Sequence, residues 1–209
     1  MKSNKIFAHI VFFLLLPTLR IFGQQQAQLN DINVVIHQET LNKLVVALGE
    51  VKGDSEYDFM FMTWHYQWSV LKSAFELMPG KANFISDVKV DVGPFTYSSK
   101  VNGNVDVTYD IKTNLISIKV KEAVFELYTV IFGKKYHIKD INLADYYQTP
   151  FTFEGPMSIE TEMEFMMPDN TIKKLYARAT NCILTVQDKK IVVASEIDFF
   201  DKSMFQIRK

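Results

Sequence analysis

The sequence predicts an α+β fold, a long and strongly curved antiparallel β-meander wrapped around one principal N-terminal helix. Three observations carry that expectation. One stretch, residues 38–48, repeats its apolar positions at helical spacing. From residue 57 onward the spacing changes to two, and turn residues break the chain into roughly eight alternating stretches of about 10–15 residues. Typical strands are about five or six residues, so strands this long must twist and coil around something.

The elements follow in order. Residues 31–36 read as a short strand. In the helix, Leu41, Leu44, Val45 and Leu48 fall at i, i+3, i+4 and i+7, and Gly49 stands where a stop is expected. Val46 and Ala47 widen the apolar surface beyond one stripe, which predicts cover on more than one side. Residues 51–56, with Gly53 and Asp54, read as a loop. Met60, Met62, Trp64, Tyr66, Trp68 and Val70 then share one face of an extended strand, with Phe59 and Phe61 opposite. After the turn at Pro79-Gly80, Ala82, Phe84, Val88, Val90 and Val92 share a face against Asn83, Asp87, Lys89 and Asp91. After Gly93-Pro94, Tyr97, Val101, Val105, Val107 and Tyr109 alternate with polar neighbours, and residues 110–114 make the next turn.

In residues 115–128 the alternation slips. Ile116, Ile118 and Val120 have one parity, and Ala123, Phe125 and Leu127 the other. One extra residue near Lys121-Glu122 repairs this, which predicts a β-bulge and a sharp bend there. Gly133-Lys134-Lys135 is a hairpin turn, and residues 143–147 read as a short helical turn. Met157, Ile159, Met163, Phe165 and Met167 share a face, Pro168-Asp169-Asn170 turns, and residues 171–186 and 191–200 are the last two strands.

Part of this pattern occurs twice. Shifted by 56 positions, residues 94–130 lie on residues 150–186 without a gap: PFTY meets PFTF, Asn114 meets Asn170, and Ala123 meets Ala179. The readings are a duplicated hairpin or two strand pairs that share a turn spacing. Residues 31–209 are taken as one β-rich domain, preceded by a linker at 24–30.

The first 23 residues read as a secretion signal, with Lys2 and Lys5 before an apolar run at 6–16 too short to span a bilayer as a stable helix. The alternative is an uncleaved anchor. No later run is apolar and long enough for a transmembrane helix. Cleavage after Gly23 removes three of 23 basic residues and none of 24 acidic ones, leaving a net charge of −4. That argues against nucleic acid as a partner and against electrostatic attraction to an anionic membrane face. The lone Cys182 makes no internal disulfide, and its apolar neighbours predict a buried, inert thiol. A secreted or periplasmic location fits both features.

The catalytic inventory is thin. His37, His65 and His137 are far apart and lack paired-ligand spacing, and GxSxG, Walker and GxGxxG patterns are missing. Glu160, Glu162 and Glu164 read as the solvated face of a strand. No cofactor and no enzymatic activity are expected. What stands out is the Met60, Met62, Trp64, Tyr66 and Trp68 face. Joined by Phe165 and by Leu44, Val45 and Leu48 of the helix, it reads either as the wall of an apolar pocket or as plain core. Trp favours the pocket, because its N–H wants a partner.

The helix LNKLVVALG followed by long strands at 60–70, 82–92, 97–109 and 115–128 resembles, across residues 31–200, the tubular lipid-binding (TULIP) superfamily, including its small bacterial secreted members. The resemblance rests on architecture. It implies a lipid or other apolar molecule held between helix and curved sheet, with no catalytic residues. Two small β-sandwich-like repeats with the helix capping one end are also compatible with the pattern. The functional expectation is non-catalytic binding of an apolar ligand in the cell envelope. The alternative is a structural or interaction module with a filled core and an envelope protein as partner.

Overall fold

The computed structural model describes residues 30–59, 62–158 and 161–201. The predicted signal and linker lie outside them. A single α-helix, α1 (Gln38–Leu48), forms where the apolar spacing predicts it. Twelve strands occupy most of the remaining described residues: β1 (Ile32–His37), β2 (Lys52–Phe59), β3 (Met62–Met78), β4 (Lys81–Val92), β5 (Phe95–Asp110), β6 (Leu115–Glu122), β7 (Val124–Ile131), β8 (Lys134–Asn142), β9 (Phe151–Glu154), β10 (Thr161–Met166), β11 (Ile172–Gln187) and β12 (Lys190–Asp201). A six-stranded sheet has the order β2-β3-β4-β5-β6-β9, a four-stranded sheet the order β1-β12-β11-β10, and β7-β8 stand as a ribbon of their own. The sheets are antiparallel and strongly curled.

The alternation in β4 decides which way the large sheet faces. Ala82, Phe84, Val88, Val90 and Val92 are buried, while Asn83, Asp87, Lys89 and Asp91 stay partly solvated. β3 changes parity halfway. Val70 pairs with Val88 but Lys72 pairs with Asp87, so Leu71 is an inserted residue. Before the bulge Tyr66, Trp68 and Val70 are buried; after it, Phe75 and Leu77 are. An extra residue is the cheapest way to keep apolar side chains inward on a strand that must bend.

The bulge predicted near Lys121-Glu122 is present. Asn104 faces Glu122 while Val105 faces Val120, leaving Lys121 unopposed. A Cβ on Gly103 would lie 2.5 Å from the Glu122 carbonyl oxygen, so only glycine permits this close approach. Beyond the bulge the chain leaves the large sheet. The Asn142 side chain accepts from the N–H of Ala123 (2.9 Å) and of Ala144 (3.1 Å), and Leu143 N–H donates to the Ala123 carbonyl (2.8 Å). These bonds pin the corner from which β7 departs.

The helix has a different job from the one its composition predicts. Leu41 and Val45 are buried, but Val46 is 75% exposed and Leu48 is also solvated, so α1 is covered on one side and not on several. β2 pairs with β3 as far as Ser69, and Val70 N–H still donates to the Val51 carbonyl (2.9 Å), so beyond Val70 no strand pairs with this edge of β3. The helix lies along that edge. The Asn42 side-chain oxygen accepts from Phe75 N–H (2.7 Å) and the Gln38 oxygen from Leu77 N–H (2.8 Å). Residues four apart on a helix are about 6 Å apart along its axis, and alternate strand residues about 6.7 Å, so two amides one turn apart can serve two successive strand N–H groups. Replacing both Gln38 and Asn42 with Ala is expected to cost about 2–4 kcal/mol in urea unfolding, because two strand donors lose their acceptors. A loss below about 0.5 kcal/mol would show that water serves that edge equally well.

Two other expectations change. Of residues 51–56, read as a loop, 52–56 are the start of β2, and the single strand read from residue 57 is two strands, β2 and β3. Lys52-Gly53-Asp54 is polar because β2 is a solvated edge strand of the large sheet, and polar residues on such an edge hide its periodicity. Gly53 pairs with Trp68, whose indole lies in the space a Cβ at Gly53 would take. The roughly eight long strands and the short one at 31–36 thus become twelve, through this division, the break at Ala123, and the interruption between β9 and β10.

The two segments that align at a spacing of 56 each contain a hairpin, β5-β6 in the large sheet and β10-β11 in the small one. Asn114 (φ 55°) and Asn170 (φ 63°) occupy the same place in the two turns, both in the left-handed conformation that Asn tolerates.

Candidate apolar site under the β7-β8 ribbon

The inward face of β3 carries Trp64, Tyr66 and Trp68 at alternate positions. Tyr66 and Trp68 are buried, and Trp64 is half-buried beside Gly93, where a Cβ would lie 3.2 Å from its ring. The Trp68 indole meets Phe125 of β7 edge-on at 5.7 Å and Tyr146, beyond the 3-10 turn Leu143–Asp145, at 4.9 Å. These rings come from the β7-β8 side of the molecule and not from the helix.

The ribbon is held over the sheet by one phenol. Tyr97 OH donates to the Glu126 carbonyl (3.3 Å) and accepts from Tyr128 N–H (3.0 Å), and the two tyrosine rings stack at 4.0 Å. Burial pushes the Tyr97 hydroxyl up to about 12. The hydroxyl serves the free edge of β7 as a neighbouring strand would. Two buried polar atoms on this part of the fold have no hydrogen-bond partner among the described residues: Trp64 Nε1 on β3, and Oγ1 of Thr129, a fully enclosed residue of β7. Buried polar groups are paired in most proteins, so each unpaired one calls for an explanation.

The residues expected to line a pocket do not form one wall. Tyr66 and Trp68 are core, and Trp64 stands at the edge of the core with its N–H unpaired. Val45 is buried and Leu44 half-buried where α1 meets β3, whereas Leu48 is exposed. Phe165 is 46% exposed on β10, an edge strand of the other sheet. Met60 lies outside the described residues, as do Ile159, Glu160 and the side chain of Met62. Sequence reasoning missed Thr129, whose parity with Phe125 and Leu127 was the available signal, and Tyr97 as the tie between sheet and ribbon.

Elsewhere the chemistry is modest. Cys182 is half-buried between the Tyr109 hydroxyl (3.8 Å) and the buried Ser195 hydroxyl (3.4 Å), and burial raises the Tyr109 pKa. His65 meets Glu56, and His137 meets Glu126, each at 3.2 Å and exposed. Glu162 and Glu164 both hold Lys174 (2.8 and 2.5 Å), and their hydrogen bonds and then their charges raise its pKa. No group of three or more His, Cys, Asp or Glu among the described residues is placed to hold a metal. An open depression of about 760 Å³ lies at the β10-β11 turn, lined by Met167, Pro168, Ile172 and Lys173 among others. No helix among the described residues is long and apolar enough to cross a membrane. Compared with protein-family models, with curated proteins and with solved structures, the chain matches none, so the functional reading rests on its own residues.

Proposed function

We propose that this protein binds, without catalysis, a lipid or another apolar molecule with a polar end, on the inward face of the large sheet between β3 and the β7-β8 ribbon. The supporting observation is the pair of buried polar atoms, Trp64 Nε1 and Thr129 Oγ1, that have no hydrogen-bond partner among the described residues. A ligand with one acceptor and an apolar body satisfies such groups, and apolar burial supplies the driving force at about 25 cal/mol per Å² before ordering costs. A cell-envelope location, secreted or periplasmic, goes with this reading through the N-terminal apolar run.

Native mass spectrometry of the purified protein, followed by solvent extraction, tests it. A co-purifying acyl species is the expected result, and a clean apo mass with no uptake of a fluorescent fatty acid would sink the idea. Trp64→Phe keeps an aromatic ring, though a smaller one, and removes the donor, so fatty-acid affinity should fall about three- to tenfold while the unliganded fold is retained. Thr129→Val should raise the stability of the unliganded protein by about 1 kcal/mol, because it removes an unpaired hydroxyl from the core. If Thr129→Val instead destabilises the protein, the hydroxyl is already paired with ordered water.

A second reading, an interaction module that pairs through a sheet edge, is favoured by one feature. The edge strand β10 exposes Phe165, and Met166 is 77% exposed beside it. Phe165→Ser that abolishes a concentration-dependent assembly, in a protein with no lipid mass, would select this reading.

A further inference from the structure

The β7-β8 ribbon ends in a two-residue turn, Phe132-Gly133, with φ of 49° and 74°. Two left-handed residues in succession make the turn that matches the twist of a hairpin, and Asn, Asp or Gly normally fills its first position. Phenylalanine there carries backbone strain, and this one is 100% exposed, so it buries nothing within the chain that would offset the strain. Neither turn preference nor packing accounts for the residue. Lys134 and Lys135 follow it, both exposed. Lys135 pairs with Glu126 and lays its ammonium 4.3 Å from the centre of the Tyr128 ring, while no ion pair is recorded for Lys134 among the described residues. The bonds of Tyr97 to Glu126 and Tyr128 set β7 beside the start of β5. Phe95, 39% exposed at the first position of β5, therefore lies at the same end of the molecule as Phe132.

We propose that the Phe132 tip is a membrane-insertion finger for a bilayer that contains anionic lipid. Phe132 enters the interface below the headgroups, Phe95 rests at its margin, and Lys134 reaches the lipid phosphates with its stem along the apolar boundary. A bilayer suits this tip better than a protein partner does. One side chain at the apex of a two-stranded ribbon cannot supply the roughly 1,000 Å² that a stable protein interface needs. A membrane needs only the apex. The net negative charge of the chain does not oppose this at close range, because charges farther away than about 8–10 Å are screened at ordinary ionic strength and the tip lysines are the charges nearest the surface.

Flotation of the purified protein with vesicles of phosphatidylcholine alone, or of phosphatidylcholine with one third phosphatidylglycerol, tests the proposal. Weak, reversible binding that is stronger on the anionic vesicles is expected. Phe132→Asn is the decisive variant, because Asn accepts the left-handed backbone. It should lower vesicle partitioning about tenfold and raise Tm by about 2–5 °C. Lys134→Gln should remove most of the preference for phosphatidylglycerol. Phe199→Asn, which alters another exposed ring on β12, should leave partitioning unchanged. Wild-type protein that ignores both vesicles overturns the proposal, as does Phe132→Asn that binds like wild type. An equal loss in Phe199→Asn means general surface stickiness and overturns it too. A dimer that light scattering detects and Phe132→Asn dissolves, without vesicle binding, reassigns the tip to a second copy of the chain. Lipid retained inside Phe132→Asn separates this result from the ligand reading.

Discussion

Replacing Trp68 with alanine is expected to cost about 3–5 kcal/mol of stability, the range for deleting a fully packed aromatic ring. Its side chain is 3% exposed and meets Phe125 and Tyr146 edge-on, contacts worth about 0.5–1.5 kcal/mol each beyond the area they bury. The space it leaves cannot easily close. Of its two cross-strand partners, Gly53 on β2 has no side chain to move into the void and Val90 on β4 is already fully packed, and the backbone on both sides is tied into the sheet. Urea unfolding followed by far-ultraviolet circular dichroism measures the loss, and Trp64 remains as a fluorescent reporter near the proposed site. A cost under about 1.5 kcal/mol would mean that the ring is loosely held, and would extend the ligand face from Trp64 down to Trp68. The expected large cost assigns Trp68 to the core and leaves Trp64 as the ring of the proposed ligand face.

Asn114→Ala is expected to cost about 3 kcal/mol. The side chain accepts from Tyr109 OH (3.0 Å) and Met157 N–H (2.9 Å) and donates to the Gly155 carbonyl (3.1 Å). Each such bond contributes about 0.5–1.5 kcal/mol, and φ of 55° adds strain for alanine. Gly155 completes the clamp: its N–H donates to the Asn114 carbonyl at 2.8 Å, and a Cβ on it would run into Tyr109. Asn114→Gly keeps the backbone angle and loses the three bonds, so the difference between the two variants isolates the strain, about 1 kcal/mol. Asn170 stands 56 residues later with the same backbone angle, but it is exposed. Asn170→Ala should therefore cost only the strain. Equal losses at the two positions would show that the turn conformation alone matters and that the clamp contributes nothing.

Much of the secondary structure was legible because it depends on neighbours in sequence. Leu41, Leu44, Val45 and Leu48 define a helix by spacing alone. Ala82 to Val92 shows which face of β4 is buried, and the parity slip after Val120 marks the bulge at Lys121. These signals are local, since a side chain's direction along a strand or helix is a matter of geometry over a few residues. The turns at Gly80, Gly93 and Gly133 were legible for the same reason. β2 was not, because Lys52, Gly53 and Asp54 on a solvated edge strand show no apolar alternation. The division into β2 and β3 was hidden because Met60 and Met62 share the parity of Trp64 in the sequence.

The candidate site was legible in part. Trp64 and Trp68 stood out by residue type and face, but nothing near them in sequence indicates that the β7-β8 ribbon, and not α1, meets Trp68. That cover depends on Tyr97 reaching Glu126 and Tyr128, some thirty residues away, and on Phe125 arriving at Trp68. The sequence by itself determined which residues turn inward and where the chain bends, because alternation and helical spacing record burial directly. Only the tertiary structure decided what meets each inward face: the helix amides on the edge of β3 beyond β2, the ribbon over Trp68, and the absence of a partner among the described residues for Trp64 Nε1 and Thr129 Oγ1. Those are pairings between distant segments, chosen by shape and by the need to satisfy backbone donors, and a periodic pattern carries no record of its partner.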